Sequence, residues 1–78
     1  MIVKVQHHNS IEKEIYSNVE NIFISHVECG DLIELQIKDK EAREPIFITK
    51  KDDNGNYPAI VSAVWLMNDK GQTIERLV

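Results

Sequence analysis

Near the middle of the chain, two runs rich in β-branched residues flank a single turn signal. In the first run, Ile22, Ile24 and His26 fall on one side of an extended backbone, and Phe23, Ser25 and Val27 fall on the other. In the second, Leu32, Glu34 and Gln36 oppose Ile33, Leu35 and Ile37. Cys29, Gly30 and Asp31 lie between them. A period of two on both sides of such a turn predicts a β-hairpin with one apolar face.

Similar runs occur on either side. Ile2, Val3 and Val5 begin a short strand that ends at His7 and His8. Beyond a turn signal at Asn9 and Ser10, Ile11, Ile15 and Val19 recur every four residues. That spacing suits a short helix, with Asn9 and Glu12 resembling a capping box. It equally suits one face of a strand paired with residues 2–7. Residues 39–44 read as a charged loop or one helical turn, after which Pro45 precedes a strand over residues 46–49. Residues 50–56 form the clearest loop, tightest at Asn54 and Gly55.

Residues 59–67 are apolar on both strand faces. Ile60, Val64 and Leu66 share one; Val61, Ala63, Trp65 and Met67 share the other. A strand covered on both sides fits this pattern, and a helix with Pro58 at its first position is the rival. A turn at 68–71, where Gly71 supplies a positive φ, leads into a last alternating run. There Ile74 and Arg76 oppose Thr73, Glu75 and Leu77. The expected fold is mainly β, a single domain over residues 1–78. It is a small antiparallel meander or half-open barrel of about six or seven strands, and a short helix stays open at 11–19 and at 59–67.

Size changes the picture. In a chain of 78 residues, one core supplies about 3–5 kcal/mol, and self-association, metal or disulfides are the usual reinforcements. Cys29 is the single cysteine, which excludes an intrachain disulfide and suits a reduced, cytoplasmic protein, or else one that uses Cys29 between chains. The formal net charge of −4 disfavours general affinity for nucleic acid or for anionic membranes. The first residues, with Lys4 as their one charged side chain, lack the pattern of a signal peptide. The longest apolar stretch falls well short of the roughly 20 residues that a membrane helix requires.

Candidate chemistry is sparse. His7 and His8 are adjacent, so on a strand they point to opposite faces and cannot grip one ion. His26 and Cys29 would supply only two metal ligands. For Cys29 to act as a nucleophile it would need His26 as its base and a lowered pKa. Asp52 and Asp53 sit in a loop that should be wet, which leaves neither carboxylate desolvated for acid–base work. Counted from Asp52, the sixth and twelfth positions of a calcium loop would be Tyr57 and Ala63, where glycine and glutamate are required. The sequence therefore leads us to expect no metal, no cofactor and no enzymatic role.

What remains is apolar surface. Tyr57, Trp65 and Met67 are residue types enriched at protein interfaces. They are the expected contacts of a binding or assembly module that acts through a sheet edge or apolar face and self-associates as a homodimer. The alternative is a single-stranded nucleic-acid-binding barrel, with Lys50 and Lys51 along the backbone and Tyr57 stacked on a base.

The segments Ile2–His7, Tyr16–Ile22, Gly30–Leu35 and Pro45–Ile48 together resemble the small β-meander proteins encoded in prophages and mobile elements of low-GC Gram-positive bacteria. The shared pattern is a strand, a hairpin return, an Asn-Val-x-x-Ile step at Asn18 to Ile22, and a second hairpin. The resemblance implies a meander and an accessory role. It carries no catalytic motif and does not reach residues 57–78.

Overall fold

The computed structural model describes residues 1–8, 10–26, 33–57 and 60–78, which form seven β-strands. These are β1 (Ile2–His7), β2 (Lys13–Tyr16), β3 (Val19–His26), β4 (Ile33–Asp39), β5 (Ile46–Thr49), β6 (Val61–Met67) and β7 (Thr73–Arg76). Every pairing is antiparallel. One sheet has the order β2-β1-β6-β7, and the other is the meander β3-β4-β5. The two helical alternatives resolve as β2 and β6, and no helix occurs among the described residues. None is therefore long and apolar enough to cross a membrane.

The central hairpin forms with the register that its alternation requires. Ile22 lies opposite Ile37, Ile24 opposite Leu35, and His26 opposite Ile33. This places Ile33, Leu35 and Ile37 in the core together with Val3 and Val5 of β1, Val19 of β3, and Val61 and Val64 of β6. Leu35 and Ile37 are the largest side chains fully enclosed. The meander is thus packed on the four-stranded sheet, and burial of these branched side chains is the main force holding the two together. Backbone hydrogen bonds also link the sheets, as the Met1 amino group donates to Val19 O (3.0 Å) and Val19 N to Met1 O (3.1 Å).

In two places the fold departs from simple alternation. The first is β2. In its pairing with β1, Tyr16 lies opposite Val3 and Ile15 opposite Lys4. Tyr16 therefore packs on the core while Ile15 points outward, 62% exposed. Ile11 lies before the strand and is also exposed, so Ile11, Ile15 and Val19 do not share a buried face. The second is β6. Gln6 pairs with Ala63 and His7 with Val61, which leaves Ser62 as an extra residue. Such a bulge shifts the face of every residue beyond it. It lets Val61 and Val64 both enter the core, although strict alternation sets them on opposite sides. Ser62 Oγ donates to Gln6 O at the bulge (3.1 Å), and Ile60 is left exposed.

Two turns are closed as the sequence requires. Gly71 has φ of 82° and Gly55 of 83°, a region that is cheap only for glycine. Asn68 Oδ1 accepts from the backbone N–H of Lys70 and of Gln72, each at 3.0 Å. In the 50–56 loop Asp52 Oδ1 accepts from Asn54 N (2.9 Å) and Asn56 N (2.8 Å). This carboxylate is thus engaged in closing its own turn. The Cys29–Gly30–Asp31 turn, the Asn9 cap and the Pro58 start lie outside the described residues, as does any pairing of His26 with Cys29.

Candidate binding surfaces

The outward face of the four-stranded sheet carries a cationic cluster around one ring. A single row crosses all four strands: Ile15 of β2, Lys4 of β1, Trp65 of β6 and Arg76 of β7. Because Val3, Val5 and Val64 turn inward, their strand neighbours Lys4 and Trp65 turn out. Lys4 Nζ stands 4.9 Å from the Trp65 ring centroid, Lys13 Nζ 5.6 Å and Arg76 Cζ 5.8 Å. Each is within cation–π range, so the ring quadrupole holds three like charges in one place. The lysine stems also help to cover the ring, which is half-buried. Met67 lies on the same face, opposite Ile2. Among the described residues, Lys38 forms an ion pair with Glu20 and His7 lies beside Glu14, and no carboxylate is paired with Lys4, Lys13 or Arg76.

Trp65 and Met67 thus occur together as the sequence reading groups them, but Tyr57 does not join them. Its hydroxyl donates to Glu34 Oε1 (3.4 Å), on the outward face of the other sheet. Lys50 Nζ lies 4.9 Å from the centroid of the Phe47 ring, on the same outward face of the meander as Glu34. Lys51 is an exposed loop residue whose Cε runs close beside Gly55. Lys4, Lys13 and Arg76 escape notice in the sequence because they are distant along the chain. Only the β1–β2, β1–β6 and β6–β7 pairings bring them to one ring.

The outward face of the meander has a different character. Phe23, Gln36 and Phe47 form one row across β3, β4 and β5. Both phenylalanines are exposed. On β4 this row is bracketed by Glu34 and Lys38, two residues to either side of Gln36. Lys38 is held by Glu20 Oε2 at 2.5 Å and donates to Ala42 O at 2.9 Å.

A third grouping lies where β1 and β2 pair. Tyr16 donates to Glu14 Oε2 at 2.5 Å, and His7 Nε2 lies 3.5 Å from Glu14 Oε1. Burial raises the Tyr16 pKa well above the ordinary tyrosine value, and the hydrogen bond and negative charge of Glu14 add to the shift. The phenol is thereby fixed as a neutral donor. Among the described residues no group of three or more His, Cys, Asp or Glu side chains is arranged to hold a metal ion. Comparison of the chain with family models, curated proteins and solved structures gives no match.

Proposed function

We propose that this protein is a non-enzymatic, cytoplasmic binding module, and that the Trp65 face recognises an acidic segment of another protein. The observation that carries this reading is the convergence of Lys4, Lys13 and Arg76 on one ring, with no carboxylate paired to them among the described residues. Mutual repulsion of three cations is relieved when an anionic partner binds. Ile15 and Met67 on the same face offer apolar contact beside the charges. Trp65 and Arg76 are of the residue types that dominate protein-binding hot spots. The accessory role implied by the resemblance to prophage-encoded meanders agrees with a module that acts through a partner.

Single-stranded nucleic acid fits this face less well. Sequence-tolerant strand binders offer several open aromatic rings to successive bases. Here one ring is present, and lysines stand over it. Three cations would give a salt slope of only about −2. The meander offers Phe47 beneath Lys50 as a second aromatic–cation pair, but on the other sheet.

Trp65 is the sole tryptophan, so its fluorescence reports on this face directly. Titration with a synthetic peptide rich in glutamate and leucine should shift its emission, and added salt should reverse the shift. The response should vanish when Lys4, Lys13 and Arg76 are changed together to glutamine. No response to the peptide, or tighter binding of an oligothymidylate under the same conditions, would refute the proposal.

A further inference from the structure

We infer that the outward face of the β3-β4-β5 meander is a self-association surface, whose occupant is the same face of a second copy of this chain. The inference is independent of the Trp65 surface. A two-fold contact is self-complementary: each patch must accept its own image. The Trp65 face fails this test, because its image would bring Lys4, Lys13 and Arg76 against their own copies. On the meander face the like charges brought together are the exposed Lys50 side chains over Phe47, one cation per copy against three.

The argument follows from register. Consider a two-fold axis lying along the row Phe23–Gln36–Phe47, between two facing sheets. Each member of the row then meets its own counterpart, Phe23 on Phe23 and Phe47 on Phe47. Strand β4 runs antiparallel to its copy, so a residue two places before Gln36 faces one two places after it. Glu34 therefore meets Lys38 of the second copy, and this occurs twice. On β3, Ser25 and Asn21 stand in the same relation about Phe23, which pairs two polar residues. Asn21, Ser25, Glu34 and Lys38 all lie on the outward side, since their neighbours Ile22, Ile24, Leu35 and Ile37 turn towards the core. Exposed phenylalanines at the centre and complementary charges beside them form the apolar-core, polar-rim arrangement of a protein interface. Lys38 is paired with Glu20, and Glu34 accepts from the Tyr57 hydroxyl within the chain, so both charges are already oriented and little side-chain entropy is lost when they face one another.

Sedimentation at micromolar concentration should show a species of twice the 9.0 kDa chain mass. The paired change Phe23→Asp with Phe47→Asp should return the protein to a monomer with its circular dichroism unchanged, because both rings are already on the surface. Glu34→Lys and Lys38→Glu, made singly, each set like charges against like across the axis, and each should weaken dimerisation at least tenfold. A mixture of the two variants in equal amounts should recover a heterodimer, since every facing pair is then of opposite sign. A wild-type monomer would overturn the inference. So would a dimer that survives both phenylalanine changes, or folded single-charge variants that do not recover dimerisation on mixing. Should Lys38→Glu fail to fold beside Glu20, the phenylalanine pair alone decides the outcome.

Discussion

Lys4 lies directly across the β1–β6 ladder from Trp65, with its Nζ 4.9 Å from the ring centroid. The same contact that helps to cover the ring also holds a positive charge at the surface. Changing Lys4 to alanine removes both the cation–π attraction and the covering stem. Stability should fall by about 0.5–1 kcal/mol. Trp65 emission should move to longer wavelength as water reaches the ring. Urea denaturation followed by fluorescence measures both.

Leu35 has no exposed surface and occupies the central strand of the meander. Leu35→Ala should cost about 2–5 kcal/mol through lost burial and a residual cavity. In a domain whose single core supplies about 3–5 kcal/mol, that loss leaves a large unfolded fraction. Thermal melting should show a broad or missing transition. A melting temperature unchanged from wild type would mean that the core is not centred on β4.

Thr49 is buried beside Leu35, and its Oγ1 has no hydrogen-bond partner among the described residues. An unsatisfied hydroxyl in an apolar site is a net penalty. Thr49→Val keeps the branched shape and removes the hydroxyl, so it should stabilise the protein by about 1 kcal/mol. Thr49→Ala leaves a gap and should destabilise it. Opposite shifts of the two urea midpoints would establish the point.

Tyr16 provides a pH dependence. Its neutral form is favoured in the folded state, chiefly by burial and further by Glu14, so its folded pKa lies above the ordinary tyrosine value of 10.0. The associated stability is complete below pH 10.0 and is lost as the pH rises from there towards the folded value. Unfolding free energy should therefore decline above about pH 10 in the wild type, and less steeply in Tyr16→Phe. Parallel curves for the two proteins would show that Tyr16 is not the group responsible.

Much of the architecture is legible along the chain because strand periodicity is local. Ile33, Leu35 and Ile37 alternate with polar residues, and the core accepts those three. Gly55 and Gly71 stand at the positive-φ turns for the same reason, since turn chemistry depends on a few adjacent residues. Two assignments of face could not be read in this way. Ile15 points outward because β2 pairs with β1 in a register that puts Tyr16 on Val3. Val61 joins Val64 in the core because Ser62 forms a bulge against β1. Both outcomes depend on a partner strand, and a partner's register is not encoded in the alternation of one segment.

The surfaces divide along the same line. The sequence by itself determined a small antiparallel β domain, its hairpins, most of its inward-facing residues, and the presence of Trp65 and Met67 on one strand. Only the tertiary structure decided their surroundings. It gathered Lys4, Lys13 and Arg76 at Trp65 through three strand pairings, moved Tyr57 to the other sheet against Glu34, and aligned Phe23 with Phe47 across Gln36. The physical reason is range. Alternation and turn preference act over neighbouring residues, whereas the charge and apolar character of a sheet face are sums over strands distant in the chain, fixed only when their backbones pair.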